Sequence, residues 1–259
     1  MSIIQHTSAV ILAAGKGTRL NEGKPSEIPK VMHQICGKPM LEYTLRTLEN
    51  INVTNVVIVV GYKAEVIRGY FGDRYRYALQ AEQRGTGHAV ACAEGMVDRS
   101  SKHVLVIQGD DSAFYSPATL VDLLGAHVKE RAVVSLLTLK HPHPAEFGRI
   151  IRDRDGHIIA IREKEVLTDM EKQIDEINTG TYCFEAAWLW QNVKQLRPSA
   201  TGKGELILPD LIKAAVDQKL RVSAHTITDH TEWIGINTPE QLELANKVMA
   251  ERLQRLQQA

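Results

Sequence analysis

The strongest constraint on the fold is a series of short, uninterrupted apolar runs, each of which ends within two residues of a glycine. These runs occupy residues 8–14, 55–60 and 103–107. Runs of this length are typical of strands in a parallel sheet that is covered on both faces. Apolar residues at helical spacing predict helices at 39–50, 64–71 and 88–96. The alternation predicts a Rossmann-like, three-layer α/β fold with a mostly parallel central sheet.

The second half of the chain has a more β-rich pattern. Strands are predicted at 132–139, 177–184 and 221–227, and a helix at 206–218. A hairpin is predicted over 149–161, because the Asp155-Gly156 pair separates two apolar segments. A last helix is predicted over about 238–257, with Thr238 as its N-cap and Pro239 in its first turn. We predict one domain over 1–259, in two halves of about 1–139 and 140–240.

Composition excludes several classes of protein. The 31 basic and 31 acidic residues balance to a formal charge of zero, which argues against nucleic acid or a membrane surface as a partner. The sequence contains no apolar stretch long enough to span a membrane and no pattern of a secretory leader. Its three cysteines are far apart and lack metal-ligand spacing, so a reducing, cytoplasmic location is expected. The oligomeric state stays open.

A glycine-rich loop directly follows the first predicted strand. Glycines allow the backbone to approach phosphate groups, and basic side chains would add positive charge there. The loop lacks the third glycine of a dinucleotide-binding fingerprint, since Leu20 stands at that position. A plain glycine turn is the alternative interpretation. The candidate nucleotide-binding residues here are Leu12, Ala13, Ala14, Gly15, Lys16, Gly17, Thr18 and Arg19.

Further short motifs follow in a fixed order. They are Pro29-Lys30-Val31, the run from Gln80 to Ala89 (Gln-Ala-Glu-Gln-Arg-Gly-Thr-Gly-His-Ala), Gln108-Gly109-Asp110, Phe147-Gly148-Arg149-Ile150, Glu163-Lys164, Asn178-Thr179-Gly180 and Gly235-Ile236-Asn237. With the glycine-rich loop, this set resembles the sugar-nucleotide pyrophosphorylase family of nucleotidyltransferases. The run at 80–89 is most similar to the uridylyltransferase domain of the bacterial bifunctional enzymes that make UDP-N-acetylglucosamine.

The resemblance implies a role for residues of the first half in binding nucleotide. It implies that Arg19 and Lys30 act on the phosphates as catalytic residues, and that Gln80, Gly85 and Thr86 read a pyrimidine base. The Gln80 amide carries both a donor and an acceptor, which suits the edge of uracil. Gly109 would also contact the nucleotide. Without the family context, Lys30 would be interpreted as a solvated surface charge.

The resemblance also implies a metal site and a sugar site. Asp110 follows a predicted strand, where a carboxylate can hold a hard cation against phosphate oxygens. The family implies that Asp110 is catalytic and binds Mg²⁺ together with Asn237, although an asparagine just before a helix is usually a cap. Asp111 is the nearest competing carboxylate. Gly148, Glu163 and Asn178 would bind the sugar, which makes 140–240 the sugar-binding half.

The implied reaction is uridylyl transfer from UTP to a sugar 1-phosphate, with N-acetylglucosamine 1-phosphate as the expected acceptor, Mg²⁺ as cofactor and pyrophosphate as the second product. The same chemistry with glucose 1-phosphate or another nucleoside triphosphate is the first alternative. A non-catalytic protein that binds sugar nucleotides is the second. A nicotinamide-dependent dehydrogenase is disfavoured by Leu20.

The sequence departs from the family pattern in three places. Gln108 stands where an aromatic residue is usual, and Asp111-Ser112-Ala113 replaces Val-Pro-Leu, which puts the choice of sugar in doubt. The loop over 21–28 is a few residues longer than usual. The sequence ends where the bifunctional enzymes continue into an acetyltransferase domain, so no acetyl transfer is expected.

Overall fold

The computed structural model describes residues 3–20, 24, 26–199 and 204–258, apart from the side chains of 256 and 257. Its strands are β1 (Thr7–Ala13), β2 (Gln34–Ile35), β3 (Lys38–Pro39), β4 (Asn55–Val60), β5 (Arg76–Leu79), β6 (His103–Gln108), β7 (Val134–Lys140), β8 (Arg149–Arg152), β9 (Ile158–Arg162), β10 (Glu176–Glu185) and β11 (Val222–Ile227). Its α-helices are α1 (Met40–Asn50), α2 (Ala64–Phe71), α3 (Thr86–Ala93), α4 (Pro117–Lys129), α5 (Ala186–Val193), α6 (Pro209–Asp217) and α7 (Pro239–Gln258). None of these helices is long and apolar enough to cross a membrane.

A mixed sheet organises the described residues. Its strand order is β11-β7-β10-β6-β1-β4-β5, and β8 branches from β10 to pair with β9. The strands β5, β4, β1 and β6 are parallel to one another, whereas β10 is antiparallel to both β6 and β7. The predicted α/β fold with a mostly parallel sheet is confirmed. Because β10 pairs with β6, one continuous sheet joins the two predicted halves.

The core forms two apolar layers because successive side chains of a strand point to opposite faces. In β6, Leu105 and Ile107 pack with α1, α2 and α4 on one face. Val104 and Val106 pack with α3, α5 and α6 on the other face. This arrangement explains why the central strands read as uninterrupted apolar runs.

A third, smaller cluster attaches α7 to the sheet edge at which the parallel strands end. It joins Ala245 and Met249 of α7 to Leu20 after β1, to Met40, and to Phe114 after β6. The cluster also includes Ile236, one residue before Asn237. It therefore fixes the start of α7 against the ends of β1 and β6.

Most of the predicted elements are present. The strand at 55–60 and the helix at 64–71 have the predicted bounds, and β8 and β9 form the predicted antiparallel hairpin. The prediction of a helix from 206 was wrong, because α6 begins at Pro209. The preceding segment is instead held outside the helix by long-range backbone hydrogen bonds: Leu206 N donates to Arg84 O at 2.8 Å, and the Leu206 carbonyl accepts from Gly87 N at 2.7 Å. The sequence analysis did not identify β5, α4, α5 or the short β2–β3 pair.

Candidate active site

The site lies where β1 and β6 end side by side. The two strands are parallel, and the backbone N–H of Gly109 donates to the Leu12 carbonyl at 3.0 Å. This bond brings the turn that carries Asp110 next to the glycine-rich loop. Ligands of open α/β sheets bind at this carboxyl edge.

Lys30 is the centre of the polar cluster at this edge. Its side chain is buried in the protein, with the whole residue 8% exposed. The ammonium forms an ion pair with Asp110 Oδ2 and donates to Asn237 Oδ1 at 2.8 Å. Arg19 Nη2 donates to the same Asn237 oxygen at 2.9 Å. The structure therefore brings together four of the residues that the motifs singled out, from four separate parts of the chain.

The glycine-rich loop packs directly against Lys30. Gly17 has a left-handed φ of 66°, and a Cβ there would lie 2.8 Å from Lys30 Cβ. A side chain at Gly17 would push the lysine away from Asp110. This close contact explains why the loop needs glycine at this position.

Asn237 does not cap the helix that follows it. Thr238 is the cap, since its hydroxyl accepts from Gln241 N at 3.3 Å. Gln241 Oε1 in turn accepts from Asn237 N at 2.6 Å and from Thr238 N at 3.1 Å, which completes a capping box. The Asn237 side chain is thereby left to face Lys30 and Arg19.

The donor set at this cluster fits Mg²⁺. Asp110 offers a carboxylate oxygen and Asn237 an amide oxygen, and both contact the same ammonium nitrogen. Magnesium prefers oxygen ligands and is commonly held by one or two protein groups together with substrate phosphates. The competing residue, Asp111, lines neither cavity described below. Its Oδ1 is buried and has no hydrogen-bond partner within the described part of the chain, and burial and the neighbouring Asp110 raise its pKa.

A small cavity of about 190 Å³ opens beside this cluster. Lys30, Asp110 and Gln80 all line it. Its predicted nucleotide-binding residues are Leu12, Ala13, Ala14, Gly15, Gln80, Gly85 and Thr86. The cavity thus gathers residues from the glycine-rich loop, from the 80–89 motif and from the end of β6.

Gln80, Gly85 and Thr86 are held by contacts within the protein. Gln80 Nε2 donates to the Gly85 carbonyl at 3.0 Å, and the Thr86 hydroxyl accepts from Leu208 N at 3.0 Å. Gly85 has a φ of 101°, and a Cβ there would lie 2.5 Å from the Leu206 carbonyl. The wall of the cavity therefore depends on residues 204–208 docking against the start of α3.

A larger cavity of about 680 Å³ adjoins the small one, and Thr86, Gln108 and Glu205 line both. Arg19, Glu163 and Asn178 face it. Burial, followed by the nearby charges of Glu165 and Asp210, raises the pKa of Glu163. Asn178 is fixed by donating to Tyr182 Oη at 2.8 Å and accepting from Gly180 N at 3.1 Å.

The remaining predicted site residues line neither cavity. They are Lys16, Gly17, Thr18, Gly109, Gly148 and Asn237. Lys16 and Thr18 are exposed. Gly148 contacts two residues that line the larger cavity. Its carbonyl accepts from Asn178 N at 3.0 Å, and a Cβ at Gly148 would lie 3.4 Å from Glu163 Oε2.

The structure adds site residues that the sequence analysis did not assign. Gln83 lines the small cavity and donates to the Ala14 carbonyl at 2.6 Å; it lies inside the 80–89 motif, which could have indicated it. Glu205, Ile207 and Pro209 line the larger cavity without any motif to mark them.

Of the two departures near Asp110, Gln108 faces both cavities, whereas Ser112 is buried in the turn and donates to the Gln108 carbonyl at 2.6 Å. Of the long loop over 21–28, residues 21–23 and 25 lie outside the described residues.

Comparison with known proteins identifies the class. A putative glucose-1-phosphate thymidylyltransferase from Bacillus anthracis, solved in complex with a sucrose, superposes with a TM-score of 0.77 at 22% identity, covering 93% of this chain and 94% of the other. The fold is thus that of nucleotidyltransferases. The family model described as nucleotidyl transferase matches residues 8–252, and the chain belongs to this family.

Curated relatives at higher identity agree with this class. The bifunctional protein GlmU of Streptococcus agalactiae serotype III is 39% identical over 247 residues, which are 95% of this chain and 52% of that protein. The GlmU proteins of Limosilactobacillus fermentum (39% identity; 95% and 53%) and Enterococcus faecalis (38% identity; 96% and 53%) match similarly. The resemblance drawn from the motifs is confirmed. The chain spans about half the length of these relatives.

Proposed function

We propose that this protein transfers a uridylyl group from UTP to a sugar 1-phosphate, with N-acetylglucosamine 1-phosphate as the preferred acceptor, and releases pyrophosphate. The observation that carries the proposal is the cluster of Lys30, Asp110, Asn237 and Arg19 at the junction of two cavities. The smaller cavity is lined mainly by residues of the first half of the chain and the larger mainly by residues of the second half. Two substrates bound in these cavities would meet at the cluster.

The proposed reaction is an in-line attack by an oxygen of the sugar 1-phosphate on the α-phosphorus of UTP. The attacking phosphate is already ionised at neutral pH, so no side chain has to remove a proton. Lys30 and Arg19 offset the negative charge that builds up on the α-phosphate and on the leaving pyrophosphate. Catalysis then rests on positioning and on charge neutralisation.

Asp110 and Asn237 would hold Mg²⁺ in this reaction. When bound, the ion supplies positive charge to phosphate oxygens of both substrates. Lys30 contacts both ligand oxygens in the free protein, so we expect its ammonium to leave this position and turn to the phosphates when Mg²⁺ and UTP bind. The other predicted nucleotide-binding residues of the glycine-rich loop would contact the phosphates through backbone amides.

Recognition of the base is assigned to the wall formed by Gln80, Gly85 and Thr86. Gln80 uses its amide N–H to hold Gly85, which leaves its carbonyl oxygen as the acceptor for the N–H of uracil. Backbone groups next to Gly85 and Thr86 would complete the contacts with the base. Gln83 lines the same cavity and is added to this group.

Recognition of the sugar is assigned to Glu163 and Asn178, supported by Gly148. A carboxylate accepts hydrogen bonds from sugar hydroxyls or from an acetamido N–H. Ile207 and Pro209 line the same cavity, and their apolar surfaces suit the methyl group of an acetamido substituent. Gln108, which faces both cavities, favours no particular sugar, so glucose 1-phosphate stays as the alternative acceptor.

Pyrophosphate release tests the proposal. The purified protein would be assayed with UTP and Mg²⁺ against N-acetylglucosamine, glucose and N-acetylgalactosamine 1-phosphates, and then with the other nucleoside triphosphates. Fastest release with N-acetylglucosamine 1-phosphate and UTP is expected. Faster pyrophosphate release with another pair would support the same type of reaction with different substrates. Tight UTP binding without release for any pair would instead support a non-catalytic binding protein.

A further inference from the structure

A compact group of metal-binding side chains lies far from the candidate active site, at the opposite end of β6. His103 is the first residue of β6, whereas Asp110 follows the last. His127 comes from α4 and Cys183 from β10. The three residues meet on the sheet face that α4 covers, and the two imidazole rings lie edge to face with centroids 5.1 Å apart.

The ligand atoms of this group converge. One nitrogen from each histidine and the Cys183 sulfur all lie within 4.8 Å of one another. His127 is 1% exposed and Cys183 is fully buried. The group is thus largely buried, with His103 half-buried at its edge, unlike the exposed acidic clusters that are common on surfaces.

Two ring nitrogens in this group have no hydrogen-bond partner among the residues that the structure describes. They are His103 Nδ1 and His127 Nε2, and both are buried. A polar atom that is buried without a partner loses its hydrogen bonds to water and gains none in return, so folded proteins rarely leave such atoms unsatisfied. A bound cation would satisfy both nitrogens at once.

The surroundings of His127 orient it as a ligand. Its Nδ1 lies 2.9 Å from Ser135 Oγ, which lies 2.8 Å from Ser223 Oγ. When Nδ1–H donates to Ser135 and Ser135 donates to Ser223, Nε2 keeps its lone pair for a metal. Metal-binding histidines generally have their second nitrogen fixed by a hydrogen bond in this way.

We propose that His103, His127 and Cys183 bind a zinc ion that links β6, α4 and β10. Two imidazoles and a thiolate suit Zn²⁺ and do not suit Mg²⁺, which prefers oxygen ligands. The ion displaces the proton of the Cys183 thiol, which passes to solvent as the zinc–sulfur bond forms. Three protein ligands leave one position of a tetrahedral ion for water.

The protonation states of the group agree with this assignment. Burial lowers the pKa of His127 to about 4, and burial also lowers the pKa of His103. Burial therefore favours the neutral form of both imidazoles, which is the form that binds a metal ion. Burial raises the pKa of the Cys183 thiol, so formation of the thiolate depends on the ion.

Cobalt substitution in the tag-free, full-length protein tests the proposal. Co²⁺ replaces Zn²⁺ and gives a thiolate-to-cobalt charge-transfer band only when a cysteine is a ligand. We expect one equivalent of Co²⁺ to produce this band, and Zn²⁺ to abolish it by displacement. Absence of the band in the wild-type protein would overturn the proposal.

Three variants locate the ion. Cys183→Ala should lose the band, and His103→Gln, at the half-buried edge of the group, should weaken Co²⁺ binding by at least about tenfold. Cys92→Ala is the matched control, because Cys92 is also a free thiol next to a histidine, with its sulfur 3.8 Å from His88 Nε2; it should keep the band. A band lost in Cys92→Ala and kept in His103→Gln would refute the site. The His103→Gln result decides the matter if Cys183→Ala does not fold.

Discussion

Lys30 Nζ and Asn237 Oδ1 lie 2.8 Å apart, although 207 residues separate them in the chain. The same ammonium forms an ion pair with Asp110. A lysine thus contacts both oxygens that we assign to Mg²⁺. Two cations cannot share these oxygens without strong repulsion, so we expect lysine and metal to compete for them in the free protein.

Replacement of Lys30 by methionine tests this competition. Because the charged contact to the phosphates is lost, we expect kcat to fall by about 10²-fold or more. Because the competing cation is gone, Mg²⁺ should bind more tightly in the absence of nucleotide. Steady-state kinetics and isothermal titration calorimetry measure the two effects. Lys129→Met removes an exposed lysine at the end of α4 and should change neither; a weaker affinity for Mg²⁺ in Lys30→Met would contradict the competition.

The adjacent carboxylates Asp110 and Asp111 allow the metal ligand to be identified by a matched pair of substitutions. Asp110→Asn keeps the shape of the side chain but removes the charge that would hold the cation, and we expect turnover to be nearly abolished. Asp111→Asn should retain turnover within several-fold, because Asp111 lines neither cavity. The dependence of kcat on Mg²⁺ concentration measures both. A greater loss of turnover in Asp111→Asn than in Asp110→Asn would indicate that Asp111, and not Asp110, is the metal ligand.

A substitution at Gly85 tests the docking of residues 204–208 onto α3. Alanine there would face the left-handed φ and a contact of 2.5 Å with the Leu206 carbonyl. We expect Gly85→Ala to lower the free energy of unfolding by about 1–3 kcal/mol and to raise the KM of both substrates. Gly95→Ala is the control, since Gly95 is exposed and a Cβ there meets nothing within 4 Å. Equal stability of the two variants in urea unfolding would argue against the docking.

The pKa of Glu163 predicts a pH dependence of stability. Burial raises it above its ordinary value of 4.5, so the unfolded chain releases this proton at a lower pH than the folded protein does. In the interval from 4.5 up to the raised pKa, the folded protein holds more protons, and its stability falls as the pH rises. This loss persists at pH 7.

Glu163→Gln should therefore be more stable than the wild type at pH 7, and the difference should shrink below pH 4.5. The same variant should have a higher KM for the sugar 1-phosphate, because the carboxylate acceptor is lost. Thermal unfolding across the pH range and steady-state kinetics give the two results. Glu243→Gln, an exposed position on α7, is the control. A gain in stability that is the same at every pH would exclude titration of Glu163 as its cause.

The sequence predicted the central sheet well because its strands are buried on both faces. The side chains of β4 and β6 are apolar at almost every position, so their signal does not depend on distant partners. The turn at Gly156 was likewise predicted from neighbouring residues alone. The helix at 206–218 was predicted to begin too early, because Leu206 fits the apolar spacing of a helix but forms backbone hydrogen bonds with Arg84 and Gly87, more than a hundred positions earlier.

The site was predictable only as far as its motifs extend. Lys30 and Asp110 follow identifiable segments, and the structure brings them into contact. Glu205 and Ile207 reach the larger cavity through the docking of 204–208 onto α3, and no local pattern marks them. The sequence predicted only part of the capping box at Thr238 and Gln241. The position of the Asn237 side chain also depends on contacts with residues far away in the chain.

The late position of Asn237 affects the order in which the site is assembled during synthesis. A ribosome releases Lys30 and Asp110 well before the start of α7, and domains form progressively as the chain emerges. Until the third apolar cluster has closed around Ile236 and Met249, Lys30 and Asp110 have no amide oxygen beside them. We therefore expect a nascent chain with a nearly complete sheet to be inactive, and activity to appear only when the last helix has docked.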